Sequence, residues 1–133
     1  MREKSPVAGV GRILVMEDED SVRGVVGAML TAVGYEYELA KDGEEAVELY
    51  KRALDKGRPF NAAIMDLTIP GGMGGREAVK KLIELDPGVK AIVASGYSSD
   101  PVMTDCKAYG FTGVITKPYD LQTLSRTLRT VLS

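Results

Sequence analysis

Four apolar runs in this chain each end abruptly in residues able to do chemistry. Ile13, Leu14, Val15 and Met16 run into Glu17 and Asp18, and Ala62, Ala63, Ile64 and Met65 run into Asp66. Ala91, Ile92, Val93 and Ala94 end in Ser95, while Gly113, Val114, Ile115 and Thr116 end in Lys117 and Pro118. Continuous apolar runs of this length read as strands covered on both faces. A parallel sheet delivers their terminal residues to its carboxyl edge, where open α/β folds bind ligands. Side by side, the four would bring three carboxylates, a hydroxyl and an ammonium to one rim.

The carboxylates set the chemistry. Two like charges about 4 Å apart repel by about 4 kcal/mol at an effective dielectric of about 20. Glu17, Asp18 and Asp66 together would therefore raise a pKa or recruit a cation. An all-oxygen site suits Mg²⁺, which takes one or two carboxylates, keeps waters and pairs with phosphate. Asp66 is either a metal ligand alone or also a nucleophile, since carboxylates attack phosphorus to give aspartyl phosphates. Such a product is dianionic and needs compensation; Mg²⁺ and Lys117 are the candidates, with Ser95 donating a hydrogen bond.

Taken singly, these residues say less. The acidic run at residues 17–20 is a solvated loop leading to a helix cap, Ser95 an ordinary strand-end serine, and Lys117 a surface lysine before a turn. Their shared place at strand ends favours a site. The glycine cluster at residues 71–75 has neither the Gly-Lys-Ser/Thr ending of a P-loop nor dinucleotide-site spacing. It reads as a flexible loop in which Met73 either closes over the site or covers core.

The elements that must position these groups alternate regularly. Residues 11–17 form a first strand, and residues 20–33 a helix stopped by Gly34. Tyr35, Glu36, Tyr37 and Glu38 alternate, so the second strand has a wet face and belongs at a sheet edge. Asp42 caps the second helix with Glu45 three residues on, a capping box. That helix buries Ala46, Leu49, Tyr50, Ala53 and Leu54 and ends at Gly57. A third helix over residues 76–85 breaks at Asp86, Pro87 and Gly88. Asp100 and Pro101 open a fourth helix, and Asp120 caps a fifth that buries Leu121, Leu124, Leu128 and Val131. Five strands and five helices in βα alternation predict an α/β, doubly wound parallel sheet with helices on both faces.

The chain's 133 residues hold one domain, expected over residues 12–133 behind a leader or linker at residues 1–11. A net charge of −2 offers no basic face for nucleic acid. Apolar runs of about four residues fall far short of the ~20 a membrane helix needs, so no membrane insertion is expected. No signal peptide opens the chain, and cytoplasm is the natural compartment. Cys106, the single cysteine, excludes an internal disulfide and reads as a small buried side chain. Histidine is absent, which rules out a histidine base or triad within this chain. Any phosphohistidine must come from another protein.

These motifs, in this order and spacing, resemble the receiver domain of response regulators, the phosphoacceptor part of two-component and phosphorelay signalling. The resemblance rests on the run ending in Glu17 and Asp18, on Asp66 with Leu67, Thr68, Ile69 and Pro70, on Ser95 with Gly96 and Tyr97, and on Lys117 with Pro118. It implies a flavodoxin-like five-stranded sheet of order 2-1-3-4-5. It implies phosphorylation of Asp66, Mg²⁺ held by Glu17, Asp18, Asp66 and the Thr68 carbonyl, a switch hydroxyl at Ser95, and a phosphate-pairing Lys117 before a cis peptide. The implied partner is a sensor histidine kinase or a histidine phosphotransfer domain. Three departures stand out: Val114 replaces a common aromatic, Glu17 replaces the more frequent Asp, and the loop after Pro70 is one residue longer. Thr68 and Tyr97 occupy positions that tune hydrolysis in the family, and Tyr97 is expected to shield the acyl phosphate.

Two other readings compete. An aspartate-nucleophile phosphohydrolase would also use a strand-end Asp, Mg²⁺ and Lys, but it needs a second acid where Thr68 stands, and a substrate cap. A pseudo-receiver that binds without being phosphorylated would not need the full set of Glu17, Asp18, Asp66, Ser95 and Lys117. The expected role is thus a signalling switch, not an enzyme. With no output segment before Ser133, it suits a free-standing regulator or a piece of a hybrid kinase, and small residues at positions 8–11 favour the latter.

Overall fold

The computed structural model describes residues 11–133, so the expected leader lies, Gly11 apart, outside the described residues. Strands β1 (Arg12–Met16), β2 (Glu36–Ala40), β3 (Ala62–Asp66), β4 (Ala91–Ser95) and β5 (Gly113–Thr116) form one parallel sheet in the order β2-β1-β3-β4-β5. The order expected from the sequence is the order observed. Met16 pairs with Met65, Asp66 with Ala94, and Ser95 with Thr116. In that register Glu17, Asp66, Ser95 and Lys117 all leave the sheet at one edge, around the β1/β3 switch point where such sheets bind ligands.

Alternation along each central strand divides the apolar residues between two cores. Leu14, Met16, Ala63, Met65, Ala91 and Val93 face helices α2 (Gly43–Asp55), α3 (Gly75–Leu85) and α4 (Pro101–Thr104). Ile13, Val15, Ala62, Ile64, Ile92 and Ile115 face α1 (Asp20–Ala32) and α5 (Leu121–Leu132), meeting Val26, Leu30, Leu124 and Leu128. β2, at the edge, uses its alternation differently. Tyr35 is buried and Tyr37 lies over Gly27 of α1, where an added Cβ would come within 2.8 Å of the ring. On the opposite face Glu38 accepts from Arg12 at 2.8 Å, and Glu36 from Arg58 at 3.3 Å.

Helix ends follow the sequence signals closely. Asp42, Asp100 and Asp120 accept from the backbone N–H groups of Glu45, Val102 and Thr123. The return half of the capping box shifts by one residue, with Glu45 Oε1 accepting from Lys41 N–H at 2.7 Å. The fourth helix is shorter than its start signals imply. It makes one turn, Pro101–Thr104, and a separate 3-10 turn, Cys106–Tyr109, follows before Gly110 at φ 96°. Val102, Thr104, Asp105 and Cys106 are poor helix formers, and a good start cannot propagate through them. Cys106 is half-buried rather than buried, and Met73 packs on the core while its carbonyl accepts from Gly43 N–H at 2.7 Å.

Two glycines set how closely α3 meets the end of β3. A Cβ on Gly74 would lie 2.5 Å from the Leu67 carbonyl oxygen, and one on Gly75 would lie 2.7 Å from that of Asp66. Both clashes are with backbone, which cannot swing aside. Gly75→Ala should therefore lower stability to urea by about 1–3 kcal/mol. Gly24→Ala, on an exposed helical position with open space around it, should raise it by about 0.5–1 kcal/mol.

Candidate functional site

The rim collects four of the expected side chains into direct or near contact. Lys117 follows β5 and reaches back across the sheet, donating from Nζ to Glu17 Oε1 at 2.8 Å and to Asp66 Oδ2 at 3.3 Å. One ammonium thus bridges the ends of β1 and β3. Oxygens of Glu17, Asp18 and Asp66 lie within 4.8 Å of one another. Glu17 and Asp66 are buried, at 5% and 8% exposure, whereas Asp18 is exposed. The Lys117–Pro118 peptide bond is cis.

Asp66 pays for its position in charge. Burial, and then the charge of Glu17, push its pKa up to about 6, and Lys117 offsets this in part. For Lys117 burial acts the other way, but its bond to Glu17 and the charges of Asp66 and Glu17 outweigh it and hold the ammonium above the usual lysine range. Tyr119, beside the rim, has its phenol pushed up by burial and by Glu17 and Asp66. The site is a crowded anionic pocket in which Lys117 is the cation bonded to the Glu17 and Asp66 carboxylates among the described residues. Its donor set is all oxygen and all carboxylate at these spacings, which is the chemistry of a Mg²⁺ site.

Ser95 is buried at the end of β4, and its Oγ accepts from Tyr97 N–H at 3.0 Å. The Tyr97 ring itself stands 78% exposed. Thr68 lies two residues past Asp66 and is also exposed. Sequence reasoning missed Arg23, whose Nη1 donates to the Glu17 carbonyl at 2.7 Å and whose Nη2 pairs with Asp20. Its acceptor is a backbone oxygen, which leaves no mark in a motif. An apolar groove of about 460 Å³, walled by Val22, Val25, Met29 and Tyr119, opens beside Lys117.

Comparison with known proteins agrees with this geometry. The family model described as response regulator receiver domain matches residues 13–129. The chemotaxis protein CheY of Treponema pallidum is 32% identical over 122 residues, covering 91% of this chain and 82% of that protein. The sensor kinase CckA of Brucella abortus is 28% identical over 132 residues, covering 99% of this chain but 14% of the kinase. Among solved structures, the receiver domain of a sensor histidine kinase from Pseudomonas aeruginosa, with a magnesium ion coordinated in its active-site cleft, superposes with a TM-score of 0.79. That match is 25% identical and covers 92% of this chain and 97% of the other.

The raised pKa of Asp66 has a consequence for stability without metal. Between about pH 4 and pH 6 the folded chain holds a proton that the unfolded chain releases, so stability falls as pH rises through that window. Asp66→Asn removes this penalty. In EDTA at pH 7.5 it should be more stable to urea than the wild type by about 1–2 kcal/mol, after allowance for solvent at the open rim. At pH 4 the difference should vanish, and added Mg²⁺ should stabilise the wild type more than the variant.

Proposed function

The chain belongs to the response regulator receiver domain family, and we propose that it is a phosphoacceptor switch in which Asp66 takes a phosphoryl group from a partner's phosphohistidine. The observation that carries this reading is the buried Asp66 carboxylate, paired to Lys117 within an acidic cluster that suits Mg²⁺. With a pKa of about 6, Asp66 is mostly ionised at neutral pH and able to act as a nucleophile. A carboxylate oxygen attacks phosphorus, and the new P–O bond forms as the P–N bond breaks. The electron pair stays on the imidazole nitrogen, which takes a proton from solvent.

Each rim residue has a part. Lys117, kept protonated by its acidic neighbours, neutralises a phosphoryl oxygen, and Ser95 donates its hydroxyl to another. Glu17, Asp18, Asp66 and the Thr68 carbonyl would hold Mg²⁺, which would supply positive charge against the phosphoryl oxygens. Turning Ser95 toward the phosphoryl group would release the Tyr97 N–H that its Oγ now accepts. That release is a physical route from Asp66 to the segment leading into α4, and it needs no aromatic ring at Val114.

The partner is a sensor histidine kinase or a histidine phosphotransfer domain, since the chain itself has no histidine. The groove beside Lys117 gives such a partner an apolar surface next to the acceptor. We take residues 12–133 as the receiver unit of a cytoplasmic regulator or of a longer hybrid kinase. Among the described residues no helix is long and apolar enough to cross a membrane.

Intact-protein mass after incubation with Mg²⁺ and a small phosphodonor tests the reading. The wild type should gain one phosphoryl group, and Asp66→Asn should gain none. Gain by both proteins, or by neither while Mg²⁺ still binds, would count against Asp66 as acceptor. Tyr97→Ala should shorten the lifetime of the phosphorylated form if the ring folds over the acyl phosphate. An unchanged decay rate would remove that role.

A further inference from the structure

Glu17 and Asp18 are neighbours in sequence, so the peptide that joins them decides whether both can aim at Asp66. The Glu17 N–H is fixed by the sheet, donating to the Ala40 carbonyl at 2.9 Å. Its carbonyl, on the peptide shared with Asp18, is held from the other side by Arg23 Nη1 at 2.7 Å. The guanidinium is anchored in turn by Asp20, and the Arg23 side chain is 17% exposed. Arg23 N–H also donates to the Glu19 carbonyl at 2.9 Å, which seats the first turn of α1 against the same loop.

We propose that Arg23 is a positioning residue for the metal site: it fixes the Glu17–Asp18 peptide and so holds the exposed Asp18 carboxylate against Glu17 and Asp66. The proposal rests on the Mg²⁺ part of the functional reading. It makes a prediction opposite in sign to simple electrostatics. A cation beside an acidic cluster repels Mg²⁺, and its removal by charge alone would tighten binding. Removal of the group that orients a ligand loosens binding instead, typically by 10–100-fold.

The test is calorimetric titration of the full chain with MgCl₂, for wild type, Arg23→Met, Arg23→Lys and Asp18→Asn, with melting measured in parallel in EDTA. Arg23→Met keeps an apolar stem but loses both donor and charge, and it should weaken Mg²⁺ affinity by about tenfold. Arg23→Lys, which can still reach a carbonyl oxygen, should recover much of that loss whatever its melting temperature. A role confined to stability would lower the melting temperature of Arg23→Met and leave its Mg²⁺ affinity intact. That result, or tighter binding by Arg23→Met, overturns the proposal. If Asp18→Asn binds Mg²⁺ as the wild type does, the site reading fails and the proposal with it.

Discussion

Like charges forced together are the constraint on which this molecule turns. Left to themselves in water, Glu17 and Asp66 would separate, but each ends a strand in a fixed parallel register, with Met16 paired to Met65. The sheet cannot relax at that point without breaking its ladder. The repulsion must be met by a countercharge or a proton. Lys117 supplies the first in part, and the raised pKa of Asp66 marks what is left over. A divalent cation among Glu17, Asp18 and Asp66 would be a further answer to the same imbalance.

The rest of the fold gives that constraint its stiffness. Two apolar cores grip the sheet from opposite faces, so the central strands are held through both sets of side chains. Gly74 and Gly75 let α3 start against the carbonyls of Leu67 and Asp66, closing the loop after β3 tightly on its strand. Arg23 does the equivalent for the loop after β1 from the side of α1. The buried polar side chains at the rim, Glu17, Asp66 and Ser95, each have a hydrogen-bond partner.

Much of this was legible in the residues, for a physical reason. A strand covered on both faces has to be apolar throughout, so the first polar residue at its end marks the rim, and Glu17, Asp66 and Ser95 each announce themselves that way. Lys117 follows β5, which read as covered on both faces but lies at the other sheet edge with Val114 and Thr116 exposed. Tyr35, Glu36, Tyr37 and Glu38 likewise announce an edge. What the residues hid were interactions whose partner is backbone. Arg23 looks like one charge among many on α1, and nothing in its spacing tells of a carbonyl six residues upstream. The extent of the fourth helix was hidden differently: Asp100 and Pro101 signal a start strongly, but its end depends on weak propensities summed over a few residues. The exposure of the Tyr97 ring depends on a loop conformation that no local pattern encodes.

The brevity of α4 bears on how the molecule opens. Between Asp100 and Phe111 the backbone closes on itself in short turns, such as Thr104 N–H to Asp100 carbonyl at 3.1 Å and Phe111 N–H to Cys106 carbonyl at 3.0 Å. Val102, Met103 and Phe111 pin the segment to the core, but its turns are separate, so one can come apart without unwinding a long cooperative helix. Amide protons there should exchange with solvent through partial opening at a lower free energy than those of β1 or β3, which require global unfolding. This corner begins five residues downstream of Ser95, the residue that ends β4.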